Sequence, residues 1–330
     1  MRRLMRSDDA AAAVFVAISM IVLIGFTAFA VDAGALYAER RELQSGADAA
    51  ALAIAEACGR GEPCTQAAAE AVGGAYADDN ASDGFAGIDT IDLDTTNGLV
   101  KVTTNTELND GGTVFAPFFA QVLGFGGTTV RARASAAWGS PGGLATLPLI
   151  ISDCEWEKSQ HLVQEGPPFT GDKVLFLFHD GNTTEECNAQ AGQDWDGDGK
   201  LPGGFGWLNT AGDCIAHSQV GYWVADDPGA SPSTGCDAKD FKELVLNKTV
   251  SLPFFDDIRG VGAGGEYHVS GFVAIHVTGY NFGGKFKEPK GNAPCSGDER
   301  CLEGYLTVDT EYDGELGGPD RGIVIIKLTG

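Results

Sequence analysis

AAAAVFVAISMIVLIGFTAFAV, residues 10–31, is the stretch that decides the fold. It contains 22 residues and no charged side chain. At a rise of about 1.5 Å per residue, a helix of this length reaches about 33 Å, enough to cross a hydrocarbon core of about 30 Å. The stretch therefore predicts a single transmembrane helix, whose bounds we place at residues 10–32.

Charges on either side of the span predict its orientation. Three arginines lie in the tail of residues 1–9, and Asp32 is the first charged residue after the span. Because basic flanks stay in the cytoplasm, we expect a cytoplasmic tail, one crossing of the cytoplasmic (inner) membrane, and the rest of the chain outside. A cleaved secretory signal is the alternative. Its apolar core usually has about 7–15 residues, fewer than here, and residues 28–30 offer only a weak cleavage site.

Composition narrows the class of the remaining chain. The formal net charge is −24 in 330 residues, which disfavours binding to nucleic acid or to anionic surfaces. The chain has 47 glycines, and helix formers become scarce after Ala71. A turn-rich β structure is therefore expected downstream of the helices.

All eight cysteines follow the span: Cys58, Cys64, Cys154, Cys187, Cys214, Cys236, Cys295 and Cys301. An even number outside the cytoplasm predicts disulfides. Eight cysteines allow 105 connectivities. Neighbour pairing is the simplest hypothesis, because short loops close easily: 58–64, 154–187, 214–236 and 295–301. The alternative, a zinc site, lacks the close CxxC pairs that such sites favour.

The helical pattern continues past the membrane through residues 33–57. One side that can pack is formed by residues that recur at three- and four-residue steps: Ala33, Leu36, Tyr37, Leu43, Ala47, Ala50 and Ala51. We expect this side, with Ala47 and Ala50, to contact neighbouring helices in an assembly. Acidic residues along it either set the register with those neighbours or are simply solvated: Glu42 and Asp48.

This run resembles the N-terminal segment of TadG-like proteins of Flp/Tad pilus-assembly systems. Those proteins share an apolar helix, then V-D-x-G-x-L-Y, then E-L-Q-x-x-A-D-A-A-A-L-A. The matching residues here are Val31, Asp32, Gly34, Leu36, Tyr37, Glu42, Leu43, Gln44, Ala47, Asp48, Ala49, Ala50, Ala51, Leu52 and Ala53. The resemblance covers only about 45 residues. It implies a membrane-anchored, pilin-like component of a pilus or secretion machine, not an enzyme, whose N-terminal helix contacts other Tad/Flp proteins. Many relatives carry a von Willebrand A domain, but its Asp-x-Ser-x-Ser run does not occur in this sequence.

The pattern of residues 58–138 predicts a small α+β, pilin-like unit. A helix is expected over residues 65–76, and a β-hairpin with its turn at residues 96–98. Residues 115–123 have helical length and apolarity, and residues 128–138 alternate as a closing strand. Glycines and a proline then predict a linker at residues 139–143.

Residues 144–330 predict an extracytoplasmic domain of mainly antiparallel β structure, tied by three disulfides. Short β-branched or aromatic runs alternate with loops rich in Gly, Asp and Pro. The predicted fold class of the whole chain is therefore α+β.

Asp194, Asp196 and Asp198 form the strongest local motif, the D-x-D-x-D-G start of a calcium loop. Lys200 would add its backbone carbonyl. Phe205 stands where an EF-hand has its bidentate glutamate, so a final carboxylate would come from Asp213, Glu185 or Glu186. Structural Ca²⁺ is one reading, and a solvated acidic turn is the other.

Aromatic residues follow in P-G-G-F-G-W-L-N, residues 202–209. Similar runs recur in secreted TadG-related proteins. Phe205, Trp207 and Leu208 either insert into a core, which we favour, or form an exposed adhesive loop. Together with the calcium loop, the exposed form would make the distal domain an anchored, adhesin-like binding module. That is the alternative to a role in pilus assembly.

Motifs for catalysis are weak. G-x-S-x-G and H-E-x-x-H do not occur in the sequence. Residues 260–265 fit G-x-G-x-x-G, but a strand pattern follows where a dinucleotide site needs a helix. His268 and His276 lie an even number of residues apart and would share a strand face, yet a metal would need further ligands. We therefore predict a non-enzymatic protein.

Overall fold

The computed structural model describes residues 7–158, 163–164, 173–179, 186–189, 196–210, 214–227, 236–260 and 264–329. The chain divides into two compact units, residues 1–137 with 328–330 and residues 138–327. Long helices come first, and antiparallel and mixed sheets follow. The predicted α+β class is confirmed.

Helix α1 (Ser7–Gly59) is a single helix of 53 residues, so the predicted continuation past the apolar span is confirmed. It contains no proline, and its second half is rich in alanine. After the turn closed by Cys58–Cys64, helix α2 (Gln66–Asp79) begins at Thr65, whose side-chain oxygen accepts a hydrogen bond from the Ala68 N–H at 3.3 Å.

The sheet of the first unit consists of β1 (Ala86–Asp94), β2 (Leu99–Thr106) and β3 (Arg131–Gly139). The strands are antiparallel, with β2 in the middle. The predicted hairpin turn is present. The Asp94 carboxylate accepts hydrogen bonds from the N–H groups of Thr96 and Asn97, both at 3.1 Å, and Gly98 has φ of 60°. Helices α1 and α2 pack on this sheet through β2 and β1.

The predicted helix at residues 115–123 is wrong. Only a 3₁₀ turn forms there, at Ala120–Leu123. Pro117 disfavours helical backbone at the preceding residue, and Gly124 ends the turn in the left-handed region with φ of 82°. Phe115 instead makes a β-bridge with Thr128, which closes the base of the loop.

Past the first sheet, strands dominate the described residues, and most of them are short. They are β4 (Pro141–Thr146), β5 (Leu149–Ser152), β6 (Val163–Gln164), β7 (Val174–His179), β8 (Cys187–Asn188), β9 (Lys200–Leu201), β10 (Phe205–Trp207), β11 (Ala216–Gln219), β12 (Trp223–Ala225), β13 (Thr249–Arg259), β14 (Glu266–Gly283), β15 (Phe286–Glu288), β16 (Arg300–Thr307), β17 (Asp309–Glu311), β18 (Glu315–Leu316) and β19 (Ile323–Leu328). The helices among them are α3 (Asp153–Lys158) and α4 (Ala238–Val245).

Within the described residues, the main sheet of the second unit has nine strands, in the order β10-β5-β13-β14-β16-β6, with β12 and β15 on β14 and β7 on β16. The long strand β14 pairs antiparallel with β13 and β16 over most of its length. Helix α4 lies against β13 and β15. The core forms between this helix and the sheet, around Phe241, Phe254 and Phe282.

The predicted linker is largely strand. Residues 141–143 begin β4 and are buried. A Cβ placed on Gly142 would lie 2.7 Å from the backbone oxygen of Leu316, so the small residue permits a close approach of β18. In this segment Gly142 therefore serves close packing.

The structure describes all eight cysteines and joins them as Cys58–Cys64, Cys154–Cys187, Cys214–Cys236 and Cys295–Cys301. These are the pairs of the neighbour hypothesis.

Candidate functional site: the two halves of the long helix

In the first half of α1, every residue from 12 to 31 except the half-buried Ala28 is exposed. Phe15, Ile21 and Phe29 are 73%, 72% and 73% exposed. Its most apolar 18-residue window has mean hydropathy 2.7, and none of that window is buried in the protein. By length and composition, this helix is able to cross a membrane.

Asp32, the first residue after the span, is buried and only 8% exposed, whereas most residues from 33 to 41 are exposed and the next buried residue of the helix is Leu43. The Asp32 carboxylate oxygens accept hydrogen bonds from the N–H of Phe119 at 3.0 and 3.1 Å and from the N–H of Ala120 at 2.7 Å. A buried carboxylate requires such donors, and bonds to an ionised acceptor are the stronger kind. Asp32 therefore fastens the 3₁₀ turn to the point where the apolar span ends.

The alanine side of the second half packs inside the protein. Ala47, Ala50 and Ala51 are each 0% exposed, and Leu43 is 2% exposed. A Cβ placed on Gly46 would lie 3.3 Å from the Cα of Ala77, so the small residue lets α1 and α2 approach closely. For Leu43 and these alanines, our expectation of contact with neighbouring helices in an assembly is therefore wrong, because segments of the same chain cover them.

Polar residues of α1 also bond within the chain. The Thr104 hydroxyl donates to the Leu43 carbonyl at 2.9 Å. Gln44 Nε2 donates to the Arg133 carbonyl and to the Asp48 carboxylate, each at 2.9 Å. These contacts fix the rotation of α1 about its axis relative to β2 and β3.

Glu42 and Asp48 therefore have intramolecular partners. Glu42 accepts hydrogen bonds from the N–H of Ser82 at 3.1 Å and from its hydroxyl at 2.9 Å. Both carboxylates are thus more than simply solvated, and their contact with a neighbouring helix stays a prediction.

Glu39 carries the clearest perturbed pKa on this helix. Burial is the main cause and raises the pKa of the carboxyl. A hydrogen bond from Thr106 opposes the shift, and the nearby charges of Asp83 and Glu42 add to it. Protonation of Glu39 is thus coupled to packing of the helix on β2.

Residues 10–56 match the family model described as Tad, putative Flp pilus-assembly TadE/G-like. The long helix carries a Tad segment. The match confirms the resemblance over these residues, which are well under half of the chain. No curated protein and no solved structure matches the chain.

The fold gives physical roles to the quoted residues of the Tad segment. Asp32 holds the 3₁₀ turn, Leu43 and the alanines form the packed side, and Glu42 and Gln44 bond to the chain that covers it. Most of the motif therefore builds the join between the apolar helix and the first unit.

The predicted calcium loop is only partly described. Asp194, with Asp213 and Glu185 as candidate further ligands, lies outside the described residues. Asp196 and Asp198 are exposed. Their carboxylates accept backbone hydrogen bonds from Asp198 at 3.1 Å and Lys200 at 2.7 Å, and both intervening glycines have φ near 80°. Among the described residues there is no cluster of three or more His, Cys, Asp or Glu suited to a metal. Calcium stays a prediction.

The aromatic motif inserts into the core, which is the position that we favoured over an exposed adhesive loop. Trp207 and Leu208 are 2% and 1% exposed. The Trp207 ring centroid lies 5.5 Å from that of Phe241 and 5.1 Å from that of Phe282. These rings are thus unavailable as an adhesive loop.

The two histidines of β14 have separate surroundings. His268 Nδ1 lies 2.6 Å from Asp256 Oδ1. Burial raises the pKa of that carboxyl, and the hydrogen bond to His268 lowers it. His276 lies 3.4 Å from the Thr249 hydroxyl, and burial lowers its pKa. The G-x-G-x-x-G run is followed by strand β14 as predicted, although residues 261–263 lie outside the described residues.

The second unit contains a lysine-lined cleft of about 700 Å³ that none of the sequence motifs predicted. Lysines from α4 and from the β15 region line it: Lys239, Lys242, Lys285, Lys287 and Lys290. Asp237 and Glu288 also contribute, and Glu288 is 3.0 Å from the Lys242 ammonium. The only signal in the sequence was local lysine spacing in a strongly acidic chain.

Proposed function

We propose that the chain is a non-enzymatic, single-pass component of a Flp/Tad-type pilus or secretion machine. In this proposal it lies in the cytoplasmic (inner) membrane, with its N-terminus inside and the rest outside, as a minor pilin-like subunit or an envelope assembly factor. The Tad segment carries the proposal. Support comes from the division of α1 into an exposed apolar half and a half built into a folded unit.

Partner proteins would contact α1 on surfaces that its own fold leaves open. Beyond the span, Tyr37 is 65% exposed, and the Arg41 guanidinium lies 5.9 Å above its ring. An aromatic side chain backed by arginine is a common anchor of protein interfaces. We therefore place contacts with other Tad/Flp proteins on the span and around Tyr37, which the fold of this chain leaves exposed.

Co-purification from cross-linked membranes of the native host tests this assignment. The wild-type chain should retain other pilus-system components, and Tyr37→Ala should retain less of them while inserting and folding normally. Ala57→Ser, a small change on the same helix, is the control. Recovery of the wild-type chain without any pilus component would contradict the proposed function. Equal recovery with Tyr37→Ala would contradict only the proposed contact.

A second candidate function is an anchored binding module for acidic polymers. The lysine-lined cleft is the observation that favours it, since five of the 22 Lys and Arg residues lie around one cavity in a chain of net charge −24. Local positive charge attracts polyanions even when the whole protein is acidic. Acidic polysaccharide is the class that fits an open cleft of this size.

Binding of the full chain in nanodiscs to polygalacturonate tests the second function. Lys285→Glu with Lys287→Glu should remove the binding. The matched control, Lys101→Glu with Lys248→Glu, changes the net charge equally at exposed positions outside the cleft. Equal loss in both variants, or no binding by the wild-type chain, would contradict a specific site.

We also propose that Asp194, Asp196, Asp198 and the carbonyl of Lys200 bind Ca²⁺ as a structural ion. The alternate carboxylates and the glycines between them support this role. The ion would hold the loop that precedes β9 and β10.

A further inference from the structure

A charge-free segment lies beside the end of the membrane span. Residues 111–130 are 20 consecutive residues without Asp, Glu, Lys, Arg or His, in a chain in which 21% of residues are charged. Within it, residues 114–125 form the segment that we call the apolar loop. Such a long uncharged stretch on the surface of an acidic protein requires an explanation.

The apolar loop presents its large side chains outward. Phe118, Val122, Leu123 and Phe125 are 75%, 82%, 76% and 66% exposed, comparable to Phe15 in the span at 73%. Soluble proteins rarely expose such side chains together, and a patch of this kind marks an interaction surface.

The loop is built to hold this arrangement. At its base, Phe115 and Thr128 exchange two backbone hydrogen bonds of 2.9 Å. The 3₁₀ turn displays Val122 and Leu123, and Gly124 donates its N–H to the Gln121 carbonyl at 3.0 Å to close that turn. The exposed rings and aliphatic chains therefore project from hydrogen-bonded backbone.

Asp32 fixes the position of the apolar loop along the axis of α1. It is the residue that follows the apolar span, and its carboxylate binds the N–H groups of Phe119 and Ala120. The exposed side chains at positions 118, 122 and 123 are thus held next to the place where the helix leaves the hydrocarbon. Because Asp32 is satisfied by these donors, it tolerates the membrane boundary.

We propose that the apolar loop inserts into the interface of the bilayer on the side where α1 emerges, so that the first unit contacts the membrane at two places. This inference rests on the membrane span of the proposed function. The occupant is lipid, because the loop continues the lipid-facing surface of α1. Since the loop lacks lysine and arginine, its affinity comes from apolar burial and not from anionic headgroups.

A second membrane contact has a mechanical consequence. A single helix leaves the attached unit free to rotate about the helix axis. Insertion of the apolar loop on one side fixes that rotation and the tilt of α1, so the first unit presents a constant face to its partners.

Site-directed spin labelling of the full chain in phosphatidylcholine vesicles tests the proposal. A ketone-bearing phenylalanine, which avoids the eight disulfide-bonded cysteines, replaces Leu123, Tyr76 or Leu23 one at a time and receives a nitroxide. Tyr76 is the aqueous control. It is 48% exposed on α2 and neighbours Ala77, which packs at Gly46, about 21 Å along the helix from Asp32. Leu23, 64% exposed, is the reference in the span.

At positions 123 and 23, oxygen should relax the nitroxide more than a water-soluble Ni(II) chelate does. At position 76, the chelate should relax the nitroxide more than oxygen does. Adding the anionic lipid phosphatidylglycerol should leave the relaxation at position 123 unchanged, because the loop lacks basic residues. Chelate access at 123 equal to that at 76, with 23 still in lipid, would overturn the loop proposal alone. Chelate access at 23 would overturn the span itself. Dipolar broadening at 123 that disappears on dilution with unlabelled chain would show that a second copy, and not lipid, covers the loop.

Discussion

The carboxylate of Asp32 accepts a 2.7 Å hydrogen bond from the backbone N–H of Ala120, which lies 88 residues later in the chain. The bond joins the end of the apolar span to a surface turn, and the Phe119 N–H reinforces it with bonds of 3.0 and 3.1 Å to the same carboxylate. Asp32 thus connects α1 to the surface turn, and the packed side of the same helix connects it to α2 and the sheet.

Asp32→Ala should release the 3₁₀ turn without affecting helix insertion. The change leaves two N–H groups without their acceptor, at a local cost of about 1–3 kcal/mol. Hydrogen exchange at Phe119 and Ala120 should therefore speed up by roughly 5- to 150-fold, and Asp32→Asn, which keeps one acceptor oxygen, should lie between. Asp79→Ala, an exposed aspartate on α2, is the control. Unchanged exchange in Asp32→Ala would mean that the turn holds itself.

Gly46→Val should destabilise the first unit. The new side chain meets the backbone of Ala77, which lies 3.3 Å from the position of a Cβ. Overpacking of this kind costs about 1–3 kcal/mol and should lower the thermal midpoint. Gly34→Val on the same helix meets nothing within 4 Å and should leave the midpoint unchanged or raise it. Equal midpoints in the two variants would contradict close packing of α1 and α2.

Ala50→Glu should unfold or loosen the first unit, because it places a charge at a position with 0% exposure. Ala38→Glu, an exposed position on the same helix, should leave the fold intact. Limited proteolysis of membranes containing each variant distinguishes them. A folded, protease-resistant Ala50→Glu chain that fails to join the pilus machine would restore our original expectation that the alanine side contacts other helices.

Glu39→Gln should make the first unit more stable at neutral pH. Burial raises the pKa of Glu39 in the folded state, so the native protein binds more protons than the unfolded chain above the usual carboxyl pKa. The stability from this group is fully present below the unfolded pKa and is lost as pH rises through the folded one. The denaturant midpoint of the wild-type protein should therefore fall between acidic and neutral pH, and Glu39→Gln should remove the part of that fall that comes from Glu39. Exposed Glu62→Gln should keep the wild-type profile, and the same profile in Glu39→Gln would refute the effect.

Calcium binding should be measurable by titration calorimetry on the full chain in nanodiscs. Three carboxylates at alternate positions favour a site, and Asp196→Ala should weaken binding because it removes one ligand. Asp298→Ala, an exposed aspartate elsewhere, should bind as the wild type does. If no heat of binding is seen at millimolar calcium, or if Asp196→Ala binds calcium as the wild type does, the segment is a solvated acidic turn.

Features that depend on neighbouring residues were predictable from the sequence. The apolar run and the helix formers after it specify one long helix, and Asp94 to Gly98 specify the hairpin turn. Glycines around Trp207 and its apolar neighbours favoured a core position, which the structure confirms. In contrast, the apolar run at residues 115–123 suggested a helix because a first helical turn tolerates proline such as Pro117, whereas the structure forms only a 3₁₀ turn there.

By itself, the sequence determined the long helix α1, the hairpin turn at residues 94–98 and the stretch that suits a membrane, because each depends on residues a few positions apart. Only the tertiary structure decided which side of α1 is covered, since Ala50 is buried by segments that lie distant in sequence. It also decided that Asp32 meets Phe119 and Ala120. Contacts across such separations depend on how the helices and strands pack, and no local pattern encodes them.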